Sequence, residues 1–146
     1  MVLAGSITAT ACGSHTATKQ DVIARANAIC SASVRDVRSV APPAAGDGTL
    51  ASLSAYLQKV LPIVEKEGGD TRALPRPARD RALLTRYIAA VTAAEQQYRA
   101  AAAAAARNDR AAVAQALSAL RSSPATTLAR QYGLSRCSAA AGTGVS

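Results

Sequence analysis

Cys30 and Cys137 lie near the two ends of a long region with helical sequence patterns, and this placement restricts the fold strongly. A disulfide between them requires the first and last helices to be neighbours. In an exported protein two such cysteines are expected to pair. A metal site would need further ligands, but the one histidine, His15, precedes the helical region, and no CxxC redox motif is present. We therefore predict a structural disulfide between Cys30 and Cys137.

Cys12 differs from the other two cysteines because it follows a short apolar segment and the small residues at positions 9–11. This pattern is typical of a lipoprotein signal, in which the cysteine thiol receives the lipid. We predict that 1–11 is a signal leader, that Cys12 is lipidated, and that 12–18 is a tether. No Lys or Arg precedes Cys12, which we explain by a start site placed too late. The alternative is a frayed N-terminus with an incidental cysteine.

Apolar residues recur at helical spacing through the rest of the chain, and no useful stretch alternates with period two. The chain has four Tyr and neither Phe nor Trp. Its core must therefore be built from Ala, Leu, Val and Ile, on helices that approach closely. We predict an all-α fold over 19–137, an antiparallel four-helix bundle with up-down-up-down order. The small residues of 138–146 are predicted to form a disordered tail.

Start and stop signals divide this region into four predicted helices. Their approximate spans are 19–40, 50–66, 77–106 and 109–132. Thr18 begins the first helix through a capping box, and Gly68 follows the predicted end of the second. Pro62 and Pro124 are expected to interrupt the second and fourth helices. Gly133 suits the position just past the end of the last helix.

Arginine gives the chain its charge, with 17 Lys and Arg against 9 Asp and Glu and a net charge of +8. The densest group surrounds the predicted start of the third helix: Arg72, Arg76, Arg79, Arg81 and Arg86. These side chains form either a solvated helix entry or a docking surface for anionic lipid headgroups, an envelope polymer or another envelope protein. Nucleic acid is not expected, because no recognition motif is present. Glu95 and Arg99 have the spacing of an exposed ion pair.

Catalytic patterns are missing from the helical region. It holds no histidine for a Ser-His-Asp triad, no Glu-x-x-His metal pattern and no glycine-rich phosphate loop. We therefore expect no enzymatic activity, no metal and no cofactor. The four tyrosines either line an internal cavity or, as is commoner at helical spacing, belong to the core with their hydroxyls at its rim. They are Tyr56, Tyr87, Tyr98 and Tyr132.

Together these patterns predict a non-enzymatic lipoprotein anchored to the outer face of the cytoplasmic membrane. Its expected role is to bind a partner or the anionic envelope surface. The alternative is a carrier or sensor of a small apolar ligand held between the helices. A cavity of several hundred cubic ångströms would favour this alternative.

Several segments of the chain carry a resemblance to a known group of proteins. They are residues 9–14 (ATACGS), 26–30 (ANAIC), 56–57 (YL), 61–64 (LPIV), 73–77 (ALPRP) and 132–137 (YGLSRC). In these segments and their order the chain resembles small, uncharacterised lipoproteins of actinobacteria. The resemblance implies an envelope location and a helical domain closed by one disulfide. It implies no particular activity.

Overall fold

The computed structural model describes residues 17–140, and within this range it contains helices and no strands. The elements are α1 (Lys19–Arg38), α2 (Leu50–Arg72), a 3₁₀ turn (Ala78–Asp80), α3 (Arg81–Ala106), α4 (Arg110–Arg121), α5 (Ala125–Tyr132) and α6 (Ser135–Ala140). The predicted all-α class is confirmed. The predicted leader, Cys12 and residues 141–146 lie outside the described residues.

Side-chain caps define where three of the helices begin. The Thr18 hydroxyl accepts a hydrogen bond from the backbone N–H of Asp21, whose carboxylate accepts one from the N–H of Thr18, which is the predicted capping box. Thr49 caps α2 and Asp109 caps α4 through bonds to the N–H groups three residues on. The capping box confirms the predicted start of the first helix.

The predicted end of the second helix is wrong. Helix α2 continues past Lys66 to Arg72, and it is one unbroken helix across Pro62, where an interruption was expected. Gly68 and Gly69 therefore lie inside the helix. Two glycines cost a helix about 2 kcal/mol relative to alanine, so packing against the rest of the protein has to compensate.

The C-terminal part of the chain is more divided than the predicted fourth helix. Gly133 ends α5 with a φ of 99°, and the N–H of Leu134 donates to the carbonyl of Ala129 at 2.8 Å, as a Schellman motif requires. A further helix, α6, follows at once. Residues 138–140 belong to α6 and not to a disordered tail. Four helices are therefore too simple a description of residues 17–140.

Helix α3 occupies the centre of the fold, packing against α2, α4 and α5, whereas α1 packs against α2 and α6. The buried side chains form two clusters. One joins α1 and the first half of α3 to α5 and α6, and includes Leu84, Tyr132 and Leu134. The other joins the start of α2 and the alanine-rich end of α3 to α4. The core is thus split in two.

The disulfide between Cys30 and Cys137 confirms the predicted pairing. It joins the middle of α1 to α6 with a Cα–Cα distance of 5.1 Å, and both cysteines are buried. Asn27 supports the same contact, because its side-chain oxygen accepts a hydrogen bond from the backbone N–H of Arg136 in the first turn of α6 at 2.9 Å. α6 is therefore held to α1 by a covalent bond and by a cap supplied from α1.

None of the helices described between residues 17 and 140 has the length and apolar character needed to cross a membrane.

Candidate ligand-binding cavity

A cavity of about 320 Å³ lies between the two core clusters. All six helices contribute to its lining, which is mostly aliphatic. The aliphatic lining residues are Val34, Val37, Leu53, Leu57, Val60, Val64, Val91, Ala94, Leu117, Leu120, Ala125 and Ala140. This volume lies at the lower end of the range for pockets that bind small organic molecules.

The packing of α1 explains why the centre is hollow. In an up-down bundle of four helices the first helix also closes against the fourth. Here α1 packs against α2 and α6, and its second half lines the cavity together with the end of α4, with Val37 and Leu120 among the lining residues. Small lining residues such as Ala94 and Ala125 leave this space unfilled, in a chain without Phe or Trp.

Glu67 places a carboxylate in this apolar lining. Its Oε2 accepts a hydrogen bond of 2.5 Å from the Ser33 hydroxyl. Its Oε1 lies 3.8 Å from Cys30 Sγ, a disulfide sulfur without a proton to donate. Within residues 17–140 no Lys or Arg forms a salt bridge with Glu67, and burial raises the pKa of its carboxyl despite the Ser33 bond. Glu67 is therefore a half-buried acid in a mostly aliphatic lining, with no cation bonded to it among residues 17–140.

Glu95 also lines the cavity, but its charge is neutralised. Its side chain is 3% exposed and accepts from Arg72 and from Arg99, each at 2.6 Å. Arg99 also bonds Glu65 at 2.8 Å. The i,i+4 pair expected from the sequence is therefore present, but it is half-buried and extends across to α2. Arg72 belongs to this cluster and not to a surface patch.

The ion pairs that Glu95 forms with Arg72 and Arg99 require a glycine at position 68. Gly68 is therefore explained by packing between helices and not by a helix end. A Cβ on Gly68 would overlap the Glu95 carboxylate and lie 3.1 Å from Arg72 Nη1. A Cβ on the neighbouring Gly69 would meet nothing closer than Arg72 Nη2 at 4.0 Å. The absence of a side chain at Gly68 thus makes room for the ion pair between α2 and α3.

The two glycines are expected to respond to alanine with opposite signs. Gly69→Ala should raise the free energy of unfolding by up to about 1 kcal/mol, because alanine favours the helix. Gly68→Ala should lower it by about 1–2 kcal/mol, because displacing a buried, paired carboxylate outweighs that gain. Urea unfolding of both variants measures the difference. Equal stabilisation by the two substitutions would show that the Glu95 cluster can move aside at no cost.

The tyrosines divide between the two roles considered from the sequence. Tyr56, Tyr87 and Tyr98 line the cavity. Burial raises the pKa of the Tyr87 and Tyr98 hydroxyls, and the charge of Glu67 raises both further. Tyr132 is a core residue at 1% exposure, with Lys19 Nζ 5.0 Å from its ring centroid. Its hydroxyl has no hydrogen-bond partner among residues 17–140.

The remaining members of the predicted arginine group stay on the surface. Arg76, Arg79, Arg81 and Arg86 are exposed, and none of them forms a salt bridge with another residue of the described range. The nearby Asp80 bonds Lys19 at 3.4 Å instead. These four arginines, without Arg72, form a basic surface at the start of α3.

The candidate site is defined by the cavity, which the sequence offered only as an alternative, and by Glu67, which sequence reasoning missed. Neither has a local signal, because each depends on the distance between helices. No group of three or more His, Cys, Asp or Glu side chains that could hold a metal ion occurs within residues 17–140. Comparisons with protein-family models, with curated proteins and with solved structures find no match to this chain.

Proposed function

We propose that this protein binds a small, largely apolar molecule in the cavity between its helices, as a carrier or sensor outside the cytoplasm. The supporting observation is the cavity of about 320 Å³ lined by aliphatic side chains from every helix. The cavity is partly open to solvent, so its apolar lining contacts water until a ligand covers it. This supports the alternative function derived from the sequence over binding through the surface alone.

A neutral fluorescent probe tests the cavity directly. N-phenyl-1-naphthylamine, which fluoresces more strongly in apolar surroundings, should bind the full chain in a saturable manner. Ala94→Phe places a ring in the cavity, because Ala94 is part of its lining, and should weaken binding about tenfold or more. Titration of the probe, followed by fluorescence, measures both.

Ala93→Phe is the matched control, because Ala93 is the preceding residue of α3 and is exposed. It should leave probe binding unchanged, and circular dichroism should show both variants to be helical. Absence of binding by the unmodified chain, or equal binding by the two Phe variants, would contradict a ligand site in this cavity.

We also propose that Cys12 carries a lipid that anchors the protein to the outer face of the cytoplasmic membrane. The small residues before Cys12 support this proposal, and the disulfide between Cys30 and Cys137 is compatible with it. Mass spectrometry of the mature protein from membranes should find a diacylglyceryl adduct on Cys12. A mature protein without the adduct would contradict the anchor.

The basic surface supports a second role, in docking to anionic headgroups. Arg76, Arg79, Arg81 and Arg86 are exposed without a carboxylate partner among residues 17–140, so their charge is available to a membrane. Vesicles with anionic lipid should bind the unlipidated chain more tightly than neutral vesicles do, and salt should weaken this binding. Arg79→Ala/Arg86→Ala should reduce it. Equal, salt-insensitive binding to both vesicles would contradict this role.

A further inference from the structure

We infer that the cavity selects an amphipathic amine, a molecule with an apolar body and a protonated nitrogen that pairs with Glu67. This inference rests on the proposed ligand-binding function and names the chemical class of the ligand. The two carboxylates that line the cavity, Glu67 and Glu95, have different partners.

Glu95 shows how this protein satisfies a buried carboxylate with its own residues. Each of its oxygens receives an arginine at 2.6 Å, Oε2 from Arg72 and Oε1 from Arg99. Glu67 has a neutral donor on one oxygen, Ser33, and disulfide sulfur beside the other. A carboxylate in such a place is costly unless a cation joins it. A ligand ammonium would supply the cation that the described residues do not provide.

The aromatic residues of the cavity suit the same chemistry. Tyr87 and Tyr98 line it beside Glu67, close enough that the carboxylate charge acts on both hydroxyls. A tyrosine hydroxyl oxygen can accept a hydrogen bond from an ammonium group. An ammonium group near Glu67 would therefore meet a negative charge and two hydroxyl acceptors, while an alkyl body would lie along the aliphatic lining of α1, α2 and α4.

The cavity lining also contains two cationic residues, but both are at its exposed part. Arg38 and Arg121 are exposed and lie at the ends of α1 and α4, where water already solvates their charge. An anionic head would have to gain its affinity from these solvated groups, and screened surface pairs contribute little. Glu67 is the better-desolvated partner, which favours an amine over an acid.

Three molecules with the same eight-carbon chain distinguish a preference for an amine from a preference for an alcohol or an acid. n-Octylammonium, 1-octanol and octanoate are each used at pH 7 to displace N-phenyl-1-naphthylamine from the full chain. We expect octylammonium to displace the probe at a concentration about tenfold lower than octanol, as a charge-assisted bond to a half-buried carboxylate provides. Glu67→Gln, which keeps an acceptor for Ser33, should abolish this preference for octylammonium over octanol.

Asp70→Asn is the matched control, because it removes the same charge from the exposed face of α2, where Asp70 bonds Lys66. It should keep the preference for octylammonium. Octanol or octanoate binding as tightly as octylammonium, or a preference that survives Glu67→Gln, would overturn the assignment of Glu67 while leaving the cavity as a ligand site. Failure of the probe to bind would overturn the proposed function and this inference together.

Discussion

Removing the disulfide is expected to lower the free energy of unfolding by about 4 kcal/mol, the largest effect we predict for this protein. The bond joins residues separated by 107 positions, and constraining so long a loop removes much of the entropy of the unfolded chain. Domains of this size are stable by roughly 5–15 kcal/mol in total. Cys30→Ala/Cys137→Ala, made together with Cys12→Ser, should therefore unfold at much lower urea concentration than Cys12→Ser alone.

The structure also predicts which helix detaches first when the disulfide is removed. α6 has six residues and is held to α1 by Cys137 and by the cap from Asn27. Without the covalent bond α6 should detach first, and hydrogen exchange of its amides should rise to near the rate of an unfolded chain. Because Cys137 and Ala140 line the cavity, probe binding should weaken as well. A change in stability below about 1 kcal/mol would contradict the role of the bond.

Removing both arginines from Glu95 is expected to cost about 3 kcal/mol, the second-largest effect. Arg72→Met/Arg99→Met leaves a carboxylate with 3% exposure without a cation, and breaking a buried pair costs about 3–5 kcal/mol. We place the value at the lower end because the arginine side chains are 42% and 51% exposed and partly screened by water. Urea unfolding at pH 7 measures the loss.

The rescue variant decides whether the unpaired charge is the cause. Adding Glu95→Met to the two arginine substitutions removes the charge and fills the same space with a flexible apolar side chain, so most of the stability should return. Lys66→Met is the surface control, since its pair with Asp70 is exposed, and it should change stability by less than about 1 kcal/mol. A triple variant no more stable than the double variant would contradict this explanation.

The signals that could be interpreted from the sequence are those that act within a few residues. The capping box at Thr18 and the glycine end at Gly133 follow from side chains and backbone angles of adjacent positions. Helical spacing also accounts for Cys30, which follows Val22 and Ala26 at intervals of four on the buried face of α1 and is 2% exposed. The same reasoning failed at Gly68, where the residue that explains the glycine, Glu95, comes from another helix.

The candidate site was visible in the sequence only as a possibility. The tyrosines and the aliphatic stripes suggested either a filled core or a cavity, and periodicity cannot distinguish the two because both bury the same faces. The difference depends on how closely α1 approaches α4, which no local pattern encodes. Glu67 gave no signal either, since an isolated acid on a helix is usually solvated.

The sequence by itself determined the helical class, most helix starts and the pairing of Cys30 with Cys137. Caps and helical periodicity act through neighbouring residues. The cysteine pairing follows by elimination, because no other suitable partner is present. The tertiary structure alone decided that α2 continues through Gly68, that Glu95 is buried between two arginines, and that Glu67 lines the cavity without a salt-bridge partner among residues 17–140. These three features depend on the volumes and charges of side chains from different helices, so they form only when those helices pack together.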